Sequence, residues 1–247
     1  MLGDKENKKM VDISNVLADP KARLLHACET GDSDRVYLDL KHAEEGDQTI
    51  LSDLSLGALV EATTADGVTP LFAACKGGFV ECAKLLLTNG AMPNRATKAH
   101  KFTPLWISCQ KGRDRCVKLL LEQREVMIGG LNQRAADGRT PLYAAAESGS
   151  APCVRLLLDA GARLELRRHD QSTALIVAAV FGHAEVVELL LEAGAKLKPA
   201  DEDGTALDNA RKQKGAGKRE QVIALLEEAM AKRGHAEVDP DAPLIED

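Results

Sequence analysis

Four segments of this chain are written on one pattern. They are Gly67-Val-Thr-Pro-Leu-Phe-Ala-Ala-Cys-Lys-Gly-Gly, Phe102-Thr-Pro-Leu-Trp-Ile-Ser-Cys-Gln-Lys-Gly, Gly138-Arg-Thr-Pro-Leu-Tyr-Ala-Ala-Ala-Glu-Ser-Gly and Ser172-Thr-Ala-Leu-Ile-Val-Ala-Ala-Val-Phe-Gly-His. Each runs into a Val/Cys-rich stretch closed by three leucines: Leu85 to Leu87, Leu119 to Leu121, Leu156 to Leu158 and Leu189 to Leu191. The threonines Thr69, Thr103, Thr140, Thr173 and Thr205 recur at spacings of 34, 37, 33 and 32 residues. A period of this length constrains the fold more than composition does. It implies helical hairpins that each leave an apolar face open and can bury it only by stacking on their neighbours.

The residue types support helices in that frame. Thr69, Thr103 and Thr140 are suited to cap a helix through the hydroxyl. Pro70, Pro104 and Pro141 then fall in the first turn, where a missing N–H is not felt. Ala74, Ala145 and Ala178 keep this helix thin, and Gly78, Gly112, Gly149 and Gly182 end it. The leucine triplets predict a second helix buried against the adjacent unit, ended by Gly90, Gly161 and Gly194. Asp66-Gly67 and Asp137-Gly138 are turns into the next unit.

Thr-Pro-Leu, paired small residues, Gly, a leucine triplet and Gly-Ala together resemble the ankyrin repeat. The run Ala178-Ala179-Val-Phe-Gly182-His183-Ala-Glu185-Val186-Val187-Glu-Leu189-Leu190-Leu191-Glu-Ala-Gly194-Ala195 follows that pattern almost throughout. The Trp and Tyr-Ala positions of the tetratricopeptide repeat, which shares the period, are not there. The resemblance covers roughly residues 20–230 and implies an all-α solenoid of about six repeats, degenerate caps included.

In this frame residues 1–19 are a tail, 20–42 a capping repeat and 43–64 an insertion. Units follow at 65–97, 98–134, 135–167 and 168–199, then a C-terminal cap at 200–230 and an acidic tail at 231–247. The charged run Asp32, Asp34, Arg35, Asp39 and Lys41 suits a polar-faced cap. The 47 residues from Gly31 to Gly78 exceed the usual period, which places a finger with room for a short helix within His42 to Val60. In the second full unit Arg124-Glu125 replaces the expected Gly-Ala, and Val126 to Gly130 lengthens the turn.

The formal charge of −6 argues against a nucleic-acid or anionic-membrane partner. The chain shows no secretory leader and no apolar run long enough to span a bilayer, so the expected location is cytoplasmic, with a nuclear or assembly-bound place left open. Cys28, Cys75 and Cys109 share a repeat position with Ala146 and Ala179, while Cys82, Cys116 and Cys153 share one with Val186. Cysteine alternating with small apolar residues predicts core packing, and neither a metal nor a cofactor is expected. Lys214 to Arg219 lacks the first glycine and the Ser/Thr of a phosphate loop. The histidines are scattered over different repeats, and no catalytic grouping is expected.

What the resemblance implies is a module that binds a protein and is monomeric when free. Ligands of such repeats dock on the turn tips and the exposed side of the first helices, along the concave face. Carried onto this chain, those positions are Asp66, Val68, Lys76, His100, Phe102, Lys111, Arg139, Glu147, His169, Asp170 and Phe181. Where the family usually has His after Thr-Pro-Leu, this chain has Phe72, Trp106, Tyr143 and Ile176. That ladder packs between repeats or exposes Trp106 and Tyr143 as aromatic anchors. An adaptor or scaffold is the leading expectation. A fixed subunit of a large assembly and an inhibitory chain covering an enzyme surface are the alternatives.

Overall fold

Thr69, Thr103, Thr140 and Thr173 each head a short helix in the computed structural model of the chain, which describes residues 19–45, 55–212 and 218–236. Their hydroxyls accept from the backbone N–H three residues on, at Phe72, Trp106, Tyr143 and Ile176, at 3.1, 3.1, 3.1 and 3.4 Å. Thr173 does so without a proline behind it, so the hydroxyl is the common element of the cap.

The helices come in pairs: α1 (Pro20–Thr30) with α2 (Ser33–Glu45), α4 (Pro70–Gly77) with α5 (Val80–Thr88), and α6 (Pro104–Gln110) with α7 (Asp114–Leu121). α8 (Pro141–Ser148) with α9 (Ala151–Asp159), α10 (Ala174–Phe181) with α11 (Ala184–Glu192), and α12 (Ala206–Lys212) with α13 (Lys218–Ala236) complete the series. A one-turn helix, α3 (Leu56–Val60), lies in the insertion. First helices pack on first helices and second on second, giving two rows that share one core from Leu24 to Leu226. The sole sheet among the described residues is a two-residue ladder, Ala200–Asp201 with Gly204–Thr205, in the last turn. Residues 1–18 of the N-terminal tail, 46–54 of the finger placed within His42 to Val60, 213–217 of the basic loop from Arg211 to Arg219 and 237–247 of the acidic tail lie outside the described residues.

Several expectations are sharpened. Only the middle leucine of each triplet is fully buried (Leu86, Leu120, Leu157, Leu190), and its two neighbours are half-buried. At 100° per residue, three consecutive side chains cannot all face one row. Asp39, read as part of a polar cap face, is only 1% exposed. Its carboxylate accepts from Arg23 Nε at 3.0 and 3.2 Å, and Arg35 Nε lies 3.1 Å away. An ion pair therefore seals the N-terminal end of the core, while Tyr37 and Leu38 beside it are exposed. α6 stops at Gln110, one residue before its counterparts' pattern, with Lys111 as its cap. α13 continues past 230 to Ala236, in a Glu/Ala/Lys-rich stretch of good helix formers in which Glu228 pairs with Lys232 at 2.6 Å. The lengthened turn of the second unit is a π-helical segment, Val126–Gly130, with Val126 buried and Ile128 75% exposed.

All six cysteines are buried free thiols at the core positions their register predicts. Burial pushes the Cys28, Cys82, Cys109 and Cys153 thiols up, which keeps them protonated and poor nucleophiles.

Successive units lock through one recurring contact. The residue after the glycine that closes each first helix lies over the corresponding glycine of the preceding unit: Phe79 on Gly31, Arg113 on Gly78, Ser150 on Gly112, His183 on Gly149. At Gly149 the backbone has φ +73°, and an added Cβ would sit 2.6 Å from the His183 ring. His183 Nε2 also meets the Glu147 carbonyl at 3.2 Å.

Two stability predictions follow from this packing. Gly149→Ala destabilises the chain by about 2 kcal/mol, through left-handed strain plus the clash. It costs less in a His183→Ala background, so a double-mutant cycle by urea denaturation gives a non-zero coupling. Asp39→Ala removes the carboxylate from two guanidiniums and lowers stability by about 3 kcal/mol or more. A change below about 1 kcal/mol there would contradict the sealing role.

Candidate functional site

Each turn between units is a narrow loop closed by its own backbone. Thr64 N–H donates to Val68 O at 3.1 Å, Thr97 to Phe102 at 3.0 Å, Ala135 to Arg139 at 2.8 Å and Arg168 to Ser172 at 2.9 Å. Neighbouring tips are then tied to one another: Lys98 N–H to Asp66 O, Ala136 to His100 and His169 to Asp137, at 3.0, 2.8 and 3.2 Å. The residue at the bend has positive φ in every tip. It is Gly67 and Gly138 in two of them, but Lys101 (φ 57°) and Gln171 (φ 67°) in the other two. Below the tips, polar side chains at one repeat position hold the next unit's backbone. Glu61 accepts from Met92 N–H, Asn132 from Arg163 N–H and Glu165 from Lys196 N–H, while Asn94 donates to Glu125 O. The tips are thus a row of fixed spacing rather than independent loops.

On that row the second and third tips build a stack. His100 lies on Phe102 with ring centroids 5.1 Å apart, and Phe102 lies on Trp106 at 3.8 Å and 6° between planes. The Arg139 guanidinium covers the same rings, 5.0 Å from the Trp106 centroid and 5.8 Å from that of Phe102. Two carboxylates aim the guanidinium: Asp137 Oδ2 accepts at 2.6 Å and Glu147 Oε2 at 2.8 Å. Such cation–aromatic stacking is worth about 0.5–1 kcal/mol at an exposed site and more where water is excluded.

The third and fourth tips continue the network. The Tyr143 hydroxyl meets Ser172 Oγ at 3.0 Å, and Ser172 Oγ donates to Asp170 Oδ1 at 2.6 Å. Arg168 donates to Asp170 Oδ2 at 2.8 Å and lies 3.9 Å from Asp137. Burial pushes the Tyr143 phenol up, with Ser172 partly offsetting it. Partial burial works against ionised Asp137 and Asp170 too. Hydrogen bonds from Arg139 and from Ser172 respectively, with the charges of Arg139 and Arg168, outweigh it and hold both carboxyls below their usual range.

Of the residues marked from the sequence, the structure brings His100, Phe102, Trp106, Arg139, Tyr143, Glu147 and Asp170 into this one network. Trp106 and Tyr143 belong to it from beneath. They are 1% and 3% exposed, so neither is a surface anchor; each is packed between repeats, as Phe72 and Ile176 are. Asp66 and Val68 lie on the first tip, exposed and half-buried respectively, and His169 joins only through its backbone. Lys76 and Lys111 are exposed at the ends of their first helices. Phe181, at the end of α10, is 53% exposed, its ring 6.0 Å from that of His183. The sequence reading missed Asp137, Arg168 and Ser172. Register would have found the first, because Asp137 occupies the same repeat position as Asp66, His100 and Asp170, all of which were marked.

Among the described residues no three His, Cys, Asp or Glu side chains converge in a metal-binding group, and no helix is long and apolar enough to cross a membrane. What the tips offer is a braced, partly exposed surface of rings, guanidiniums and carboxylates. A family profile described as ankyrin repeats (3 copies) matches residues 24–129 and 124–203. The chain belongs to the ankyrin-repeat family. Ankyrin repeats are generally protein–protein interaction modules. No curated protein matches this ankyrin-repeat chain.

The depressed carboxyls set a pH dependence. Asp137 and Asp170 titrate lower in the fold than in an unfolded chain, where the value is about 3.9. Their stabilisation is whole above about pH 4 and is lost as pH falls through the folded values. Asp137→Asn/Asp170→Asn therefore flattens the loss of stability below about pH 4, measured by thermal melts across that range. An unchanged slope would show that neither carboxylate is braced as described.

Proposed function

We propose that this chain is a non-enzymatic adaptor that holds a partner protein along the face made by its turn tips and the exposed ends of its first helices. The observation that carries this reading is the tip network, in which Arg139, Phe102, Asp137, Glu147, Arg168 and Asp170 are held in fixed geometry on a row of tips bonded to one another. Side chains already ordered before contact lose less freedom on binding, which is how a modest surface gains affinity. Phe181 adds an apolar ring left half in water. Aromatic and Arg side chains are the types that most often dominate an interface.

A second reading, a fixed subunit of a larger assembly, draws on a different surface. Tyr37 and Leu38 on α2, and Met127 and Ile128 on the π-helical segment, are exposed on the second-helix side, at 52%, 43%, 42% and 75%. Covering that side as well as the tips would suit a chain with several permanent neighbours.

Affinity purification of the full chain from cells, with quantitative mass spectrometry, separates the two. Phe181→Glu lowers recovery of the principal partner at least ten-fold and leaves the melting temperature unchanged, because the ring is not part of the core. Ile128→Glu leaves recovery intact. Loss in Ile128→Glu with retention in Phe181→Glu would move the binding face to the second-helix side and overturn the adaptor reading.

A further inference from the structure

The second, third and fourth tips carry an excess of cations in a chain whose formal charge is −6. Lys98, Lys101, Arg134, Arg167 and Arg168 stand there against Asp137 and Asp170, with His100 and His169 beside them. Arg139 and Glu147 pair with one another and add nothing to the balance. Acidic tips flank the stretch: Asp66 before it, and Asp201, Glu202 and Asp203 after it.

A second observation points to the same kind of ligand. The Trp106 indole N–H is buried and has no hydrogen-bond acceptor among the described residues. One repeat later, Tyr143 at the equivalent position meets Ser172. The residue in the Ser172 register opposite Trp106 is Arg139, which has only donors. The guanidiniums here have acceptors, with Arg134 bonded to the Gly138 and Arg167 carbonyls and Arg168 to Asp170. The middle of the tip row therefore carries one unmatched buried donor, Trp106 Nε1, beneath an excess of positive charge that a ligand rich in carboxylates would balance.

Neighbouring helices pack about 8–10 Å apart, so three tips span about 20 Å. An extended chain at about 3.3 Å per residue covers that distance in about six residues. A nucleic-acid backbone fits less well, because Asp137 and Asp170 interrupt the continuous positive track that a phosphate chain requires. A peptide can space its carboxylates around them.

We propose that the second to fourth tips grip an extended acidic segment of a partner protein, about six residues long, through Lys98, Lys101, Arg134, Arg167 and Arg168. This assignment rests on the adaptor reading and specifies the chemistry of its partner.

The test uses the purified full chain and an acetylated, amidated peptide of alternating Glu and Asp. The matching Gln/Asn peptide and a short single-stranded oligonucleotide serve as comparators. Calorimetry gives the affinity, and the emission of the chain's single tryptophan, Trp106, reports engagement of the tip row. The acidic peptide binds, shifts that emission, and weakens as salt rises. The exposed or half-exposed triple reversal Lys98→Glu/Lys101→Glu/Arg167→Glu weakens it at least ten-fold without changing the melting temperature, and Glu202→Lys does not weaken it. Equal binding of the Gln/Asn peptide, or indifference to the triple reversal, overturns the proposal. Binding of the oligonucleotide alone would make the face a nucleic-acid site instead. Tighter peptide binding by a chain ending at Ala236 would assign the face to this chain's own acidic C-terminal segment and overturn a partner-borne ligand. If the peptide fails while Phe181→Glu still loses its cellular partner, the adaptor reading stands and only the acidic chemistry falls.

Discussion

A helix of seven to nine residues has little stability of its own in water, because nucleating its first turn fixes several dihedrals for one hydrogen bond. The first and second helices of the four central units all fall in that range. What holds them is burial against the helices before and after: Leu71, Leu105, Leu142 and Leu175 in one row, Leu86, Leu120, Leu157 and Leu190 in the other. Each unit supplies half of a core that its neighbour completes. Stability in such an array is a sum over interfaces, and the end units face a problem the central ones do not.

The two ends meet that problem differently. At the N-terminus, α2 is 13 residues long and closes the stack with the buried Arg23–Asp39 pair, where a central unit would offer another apolar helix. A buried ion pair contributes little net energy relative to apolar packing, yet it is expensive to break. It therefore sets the arrangement of the end more than it adds to total stability. At the C-terminus, α13 runs for 19 residues and buries Val222 and Leu226 against α11 and α12. Length gives this last helix support from its own backbone that shorter helices lack.

Much of this was legible because each signal was local and repeated. The capping threonines, the glycines after the first helices and the small residues inside them declare one geometry four times over, so even Thr173, which lacks the following proline, could be placed by register. The cysteines were read as core residues by the same comparison. What escaped depends on partners distant in sequence. Asp39 looks like a surface charge until Arg23, 16 residues earlier, is folded against it. Packing of the Trp106 ladder between repeats was legible as one of two readings, but the Phe102 ring and the Arg139 guanidinium that cover Trp106 were not. The π-helical turn at Val126 showed as an irregularity of length, but its π winding and the Asn94 bond from the unit before that meets it at the Glu125 carbonyl did not.

The same bookkeeping of register explains why the tips rather than the core carry chemistry. Inside, most positions are held to apolar residues by the neighbour's fit, from Ala74 to the aromatic Phe72, and polar residues such as Ser108 are satisfied, there by the Pro104 carbonyl at 2.8 Å. At the tips the backbone closes each loop and ties it to the next, and side chains add braces of their own, as Asp137 does through Arg139 and Asp170 through Ser172. The sequence uses those braces unevenly. Between the third and fourth units Tyr143, Ser172 and Asp170 form a complete chain of donors and acceptors. Between the second and third, Arg139 meets a tryptophan donor that it cannot satisfy. An arrangement that served the fold alone would place Ser at both positions and spare the unpaired N–H, which costs about 1–3 kcal/mol. Local inconsistency of this kind gathers where a surface is shaped for something other than its own stability.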